Sequence, residues 1–487
     1  MDASENPYSE NLDPEDWERF REEFHRAVDL VIGRQRAIRD LPVWSPPPRM
    51  ETGSIPMSGQ DIAEVIDLFQ REILPYGTGN THPRFFGWVH GSGNLHGALG
   101  EALAALMNCN VGGRDHIGTS LEKQVVGWFR DAFGFPRGSS GILTGGTSMG
   151  TLIALTCARN AKAPWDVQAS GMQGGTARLV AYASSQSHGC LVKAMDLLGL
   201  GRESLRLIPS DDSFRLDPER LEEAVRKDRS DGLLPFCVIS TMGSVNTGAV
   251  DDLERISAIA GREGLWHHVD GAFGAFALWT PEYAHLAAII ATADSMAFDM
   301  HKWLHVPYDA GCVLVRDGEL HARSFRLRPG YLQGSGRGLA GGEPWFCDYG
   351  PDLSRGFRAL KVWFTLRGLG FAAITGAIRR NCSQARLLGE SVAGHIRLEL
   401  LAPVSLNIVC LRFVPEPETH PDRIDRINAW IVEELHLRGL AAPSTTTLAG
   451  RLAIRVCLTN HRTRAGDLDQ LLLDIVALGI ERSGRPD

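Results

Sequence analysis

Short apolar runs recur along the middle of the chain, separated by longer stretches of helical period. The runs at 178–183, 205–209, 236–241, 266–270, 295–298 and 312–315 read as strands. Between them, 188–199, 217–228, 251–262 and 281–291 place apolar residues three and four apart, as helices do. This alternation predicts an α/β unit: a mostly parallel central sheet with covering helices. Upstream, Trp17, Phe20, Phe24, Val28 and Val31 predict a helix over 14–39, with Pro14 at its first position. LPVWSPPPRM (41–50) is too proline-rich to continue it, and a second helix is expected at 58–73. Further helices are expected at 97–108, at 121–133 capped by Thr119 or Ser120, and at 354–371. Strands at 406–414 and 451–458 with helices at 421–438 and 466–480 predict a smaller α+β unit at the C-terminus. We divide the chain into a helical arm (1–75), a large domain (76–375) and a small one (376–487).

Composition narrows the function. The chain has 487 residues, 44% of them hydrophobic, enough for more than one core. A net charge of −8 without a long basic run argues against nucleic acid as a partner. The nine cysteines form no CxxC pair, so neither a metal site nor a disulfide framework is expected, and a reducing cytosol fits them. The acidic N-terminus lacks the regions of a signal peptide, and no apolar run reaches the length of a membrane span.

Three stretches carry chemistry. SMAFDMHKW runs from a strand into Asp299, His301 and Lys302. A lysine at a buried strand end is expected to have a lowered pKa and to react as a free amine with an aldehyde. Taken alone, a His-Lys pair would read as a surface feature. Asp270, which ends the strand in WHHVDGAFGAFA, lies 32 residues earlier, and the two groups can reach one ring from neighbouring strands. TGGTS (144–148) joins a short strand to a helix, where amides and the hydroxyls of Thr147 and Ser148 suit a phosphate. It has the spacing of neither a Walker A loop nor a dinucleotide loop.

SHGCLVKA, HHVDGAFGA and DMHKWLHVPYDAG together resemble the group II pyridoxal-phosphate-dependent amino-acid decarboxylases, most of all the aromatic-L-amino-acid decarboxylases. The likeness runs from about residue 76 to 370. It implies fold type I, the aspartate aminotransferase-like architecture, and pyridoxal phosphate as cofactor. Lys302 would hold the cofactor aldehyde and Asp270 its ring nitrogen. Thr147, Ser148, Asp299 and His301 would surround its other groups, and His188 would stack on its ring. NTHPRFFGWVHGSGN resembles the substrate-pocket stretch, which implies Phe85, Phe86, Trp88 and Val89 there; Arg114, His116 and Ile117 belong to a second such stretch. Arg84 and Arg114 keep an acidic substrate in play. Relatives often carry Thr where this chain has Val245, and Ser244 is a candidate replacement. Animal enzymes carry Asn in place of Asp299. Tyr331, in an RPGYL context, matches a tyrosine that reaches the partner subunit's site and protonates the product carbon. Aldehyde synthases typically carry Phe there. The resemblance thus implies a homodimer that decarboxylates an L-amino acid. An acidic or aliphatic substrate, an aldehyde synthase and a catalytically silent binding protein are the alternatives.

Overall fold

The computed structural model describes residues 11–50, 52–327 and 336–485. Its strands are β1 (Phe85–Phe86), β2 (Ser140–Thr144), β3 (Leu179–Ser184), β4 (Leu205–Ile208), β5 (Leu234–Thr241) and β6 (Trp266–Asp270). They continue with β7 (Ser295–Asp299), β8 (Gly311–Val315), β9 (Leu398–Leu400), β10 (Ile408–Phe413), β11 (Ala442–Leu448) and β12 (Arg451–Cys457). Among the described residues, seven strands form the central sheet in the order β2-β8-β7-β6-β5-β3-β4. Strands β3, β4, β5, β6 and β7 run parallel, and β8 runs against both β7 and β2. Helices cover both faces, so β3, β6, β7 and β8 are buried at every position.

The carboxyl ends of β5, β6 and β7 bring Thr241, Asp270 and Asp299 to one edge of the sheet. Open α/β sheets bind ligands at that edge. Strand β2 points the same way as β7, and its Gly145–Gly146 turn opens the helix Thr147–Lys162 there.

The second sheet has the order β1-β11-β12-β10-β9, backed by helices Pro421–Leu437 and Ala465–Ser483. β1 pairs with β11 across the sequence, so Phe85 and Phe86 belong to this sheet. A helix from Arg358 to Ala393 links the two units and breaks at Gly370, whose φ of 75° suits a residue without Cβ.

Several expected helix starts move. The first helix begins at Trp17, not Pro14, because the Asp16 carboxylate accepts from Arg19 N–H and caps it there. His116, not Thr119 or Ser120, caps the next long helix, Ile117–Ala132, its Nδ1 accepting from Gly118 N–H. The stretch 281–291 holds a 3-10 turn, Ala284–Leu286, and one helical turn, Ala287–Ile290.

Candidate active site

Lys302 follows the end of β7 in a tight turn, where Met300 and His301 N–H both donate to Ala310 O. The segment after Trp88 presses on this turn. A Cβ on Gly91 would stand 1.8 Å from His301 O, so only glycine permits the approach. Lys302 Nζ lies 2.9 Å from Asp299 Oδ2. Asp299 Oδ1 accepts from Thr147 N–H at 2.6 Å, which ties the lysine turn to the start of the Thr147 helix. Positive potential at a helix start favours that carboxylate.

This geometry corrects the expected lysine chemistry. Burial does pull the Lys302 pKa down. The Asp299 carboxylate, helped by Asp270 and Tyr308, outweighs burial, and the pKa ends above the ordinary lysine value. The protein's own groups therefore hold Lys302 as an ammonium.

Lys302, Asp299, Asp270, Thr147, Ser148 and His188 line one cavity of about 260 Å³. Asp270 is 3% exposed, and its Oδ1 accepts from Ala272 N–H at 3.0 Å. Burial raises its pKa, against that amide, Lys302 and His188. His188 sits at the exposed entrance before the helix Cys190–Leu197, its Nδ1 accepting from Cys190 N–H. Trp88, Val89, His90, Val245 and Phe273 form the less polar wall. Trp88 holds a φ of 48°, and Arg455 fixes it there. The buried Arg455 guanidinium donates to Trp88 O at 2.8 Å and to Asn246 O at 3.0 Å, and so joins two loops of the wall.

Other expected positions fall elsewhere. His301 packs on Tyr308 behind Asp299, its ring centroid 4.3 Å from that of Tyr308 and its Nδ1 accepting from Ala310 N–H. Phe86 points into the core of the second sheet because β1 pairs with β11. His116 is occupied as a helix cap, with Nε2 on Asn110 O, and is not on this cavity. Arg114 stacks on Trp345 at 4.4 Å, and neither it nor Arg84 lines the cavity. Ser244 turns its hydroxyl to Thr247 at 3.0 Å and does not stand in at Val245. Tyr331 lies outside the described residues. The cavity also has Thr241, His90 and Phe273, none singled out from sequence. Thr241 ends β5 just as Asp270 ends β6, and that register would have found it.

The profile of the pyridoxal-dependent decarboxylase conserved domain matches residues 48–414. The chain belongs to this family. It is 33% identical to the aromatic-L-amino-acid decarboxylase of Bacillus atrophaeus, over 96% of each chain. It is 29% identical to the phenylacetaldehyde synthase of Arabidopsis thaliana, over 93% of this chain and 94% of that one. The crystal structure of Oryza sativa TDC with PLP and tryptamine superposes with a TM-score of 0.88 at 26% identity, covering 97% of this chain and all of the other. The protein is thus a pyridoxal-phosphate-dependent amino-acid decarboxylase of fold type I.

The family cofactor fits the residues present. Thr147 and Thr241 both bury a hydroxyl on the cavity that has no hydrogen-bond partner. Buried hydroxyls left unpaired are costly, and an acceptor-rich phosphate or ring substituent relieves that. Asp270, pushed up by burial, needs a cation beside it to stay ionised, and a protonated ring nitrogen is one.

Proposed function

We propose that the protein decarboxylates an aromatic L-amino acid to its amine and CO2. The cavity wall carries this reading. Trp88, Val89, Phe273 and Val245 offer flat apolar surface, and Lys302 is the one Lys or Arg lining the cavity among the described residues. His90 is pulled below the usual histidine pKa by burial and by Lys302, and so adds no charge. An acidic side chain would therefore lie buried without a partner, which is expensive. The named activities of the Bacillus and rice proteins agree with this reading.

Bound pyridoxal phosphate supplies the sink for the electron pair left on the substrate's Cα as CO2 departs. Lys302 would hold its aldehyde carbon, Thr147 and Ser148 its phosphate, and His188 one face of its ring. Asp270 keeps a proton on the ring nitrogen by Coulomb attraction in a poorly solvated site. Asp299 orients Lys302, and His301 braces Asp299 from behind. Tyr331 supplies the proton that Cα takes up. A tyrosine there, where aldehyde synthases typically carry phenylalanine, favours the amine as product.

A panel of L-amino acids assayed for CO2, amine, aldehyde and H2O2 tests the proposal. Tryptophan, tyrosine or phenylalanine should give amine with the highest kcat/KM, and Lys302→Ala should abolish CO2 release. Preference for glutamate, or aldehyde with H2O2, would replace this reading.

The arm at 1–75 is assigned to packing on a second copy of the chain. The helix Trp17–Arg36 buries none of its residues, and Trp17, Phe24, Val28 and Ile32 all stand exposed on it. The helix Leu95–Met107 exposes Leu95, Leu99, Leu103 and Leu106, a stripe that needs cover. Sedimentation should give twice the mass of one chain, and a monomer at micromolar concentration would refute this. Nine free cysteines fit a reducing cytosol, and among the described residues no helix is long and apolar enough to cross a membrane.

A further inference from the structure

A second cavity, of about 790 Å³, opens where the end of the Trp17–Arg36 helix meets the 461–465 loop and the Arg358–Ala393 helix. Arg36, Arg39, Arg380, Arg462 and Arg464 line it. Asp467 answers Arg39, at 3.0 and 3.2 Å. Within one chain, among the described residues, no carboxylate forms an ion pair with Arg36, Arg380, Arg462 or Arg464. The whole chain carries −8, so this concentration of positive charge runs against its composition. The field shows in a neighbour: after burial, Arg462 and Arg380 press the His461 imidazole down to about 4.

Clustered guanidinium groups repel one another. An anion with several oxygens set between them turns that repulsion into charge-assisted, bidentate hydrogen bonds. The start of the Ala465–Ser483 helix is already capped by Asp467, whose Oδ2 accepts from Arg464 N–H at 2.7 Å, so the guanidinium groups carry the attraction.

The cavity is also connected to the lysine turn. Arg462 Nη1 donates to Ser92 O at 3.2 Å. Ser92 Oγ contacts His461 Nδ1 at 2.9 Å and His305 Nδ1 at 3.3 Å. His305 N–H donates to Lys302 O, and the preceding Gly91 lies against His301 and Lys302 carbonyls. An anion that draws Arg462 toward itself therefore acts on the segment that clamps the Lys302 turn.

We propose that this cavity is a regulatory site for a small multivalent oxyanion, either a polycarboxylate or a phosphate compound. The holoenzyme, saturated with cofactor so that its own phosphate subsite is filled, should be titrated with inorganic phosphate and with citrate. Sodium chloride at matched ionic strength is the control. The unfolding midpoint should rise and saturate with phosphate or citrate beyond the chloride response. The probe that saturates at lower concentration identifies the chemistry. The double variant Arg380→Gln/Arg464→Gln should need at least about tenfold more anion for the same rise, having lost two charge-assisted contacts. Saturation should also change kcat/KM at least about twofold through the Ser92 link. A response that follows ionic strength alone, or one undiminished in the double variant, would overturn the site. Binding without any change in kcat/KM would overturn its regulatory role. The midpoint measurement is independent of which amino acid is the substrate.

Discussion

Asp299 has two bonds that pull on different parts of the site. One oxygen holds Lys302 Nζ at 2.9 Å and the other accepts from Thr147 N–H at 2.6 Å. Asn in its place would keep an acceptor for Thr147 and lose the charge that holds Lys302 protonated. The pH at which the stripped enzyme condenses with pyridoxal should then fall by about 1 unit or more, the usual effect of one close opposite charge. The rate of reconstitution against pH measures it. An unmoved midpoint would mean that Asp270 alone sets the lysine. Part of this was legible in the sequence, because a charged residue that ends an apolar run has few other places to go. Lys302, Asp270 and Asp299 stand out that way, Thr147 and Ser148 by the Gly-rich turn ahead of their helix, and all line the cavity. The sign of the Lys302 shift was not legible, since it depends on a 2.9 Å contact rather than on burial. Phe86 lies off this cavity because the sheet a two-residue strand joins is decided far away in sequence, and His116 because it is taken up as the cap of the helix that follows it. Thr241 was missed because threonine is at home in any strand. Arg455 could not be assigned, because it acts through carbonyls 209 and 367 residues away.

At the level of elements, the parallel strands were legible because burial on both faces makes them continuous apolar runs. β11 was not. APSTTTL carries a proline and three threonines, and its pairing with β12 comes from the sheet rather than from its own pattern. The start of the Thr147 helix depends on another contact that periodicity does not reveal. Glu122, on the Ile117–Ala132 helix, is fully buried; its Oε1 accepts from Leu143 N–H of β2, and its Oε2 lies 3.1 Å from Arg355 Nη1. Arg355, 4% exposed, also donates to Leu143 O and Val111 O. The pair thus fixes the end of β2 just ahead of the Gly145–Gly146 turn. Glu122→Ala would leave a buried guanidinium without a counter-charge and an amide without an acceptor. Breaking such a pair costs about 3–5 kcal/mol. Urea unfolding of the variant should show that loss, with cofactor affinity falling as Thr147 loses its position. A loss under about 1 kcal/mol would mean that Arg355 finds water or another partner.

For the molecule as a whole, alternation along the chain implied the layered α/β unit and its smaller companion, and the two sheets have that form. What no pattern of residues implied is how many histidines those layers bury. Burial pulls His82, His267 and His321 from 6.5 to about 4, and His268 to about 3. They sit neutral on hydroxyl and backbone partners: His267 on Ser240, His268 on Ser295, His321 on Ser140 and the Tyr349 carbonyl. Between pH 6.5 and 4 the unfolded chain binds protons at these sites that the folded chain refuses, so stability must fall as pH falls. The stability they protect is fully present above 6.5. Asp251 acts the other way: burial lifts it to about 6, and raises Asp270 and Asp294 as well, so the folded chain takes up these protons first and gains stability on acidification. Each histidine forfeits on the order of 3 kcal/mol by pH 4, at 1.36 kcal/mol per unit, and one carboxyl offsets about one histidine. The loss at these four histidines is comparable to the whole stability of a typical domain, about 5–15 kcal/mol. Urea midpoints should therefore be level from pH 8 to 6.5 and then drop steeply, with unfolding in plain buffer near pH 4. A midpoint that stayed flat from pH 6.5 to 5 would mean that these imidazoles take up protons inside the fold, with the hydroxyl partners turning to accept from them.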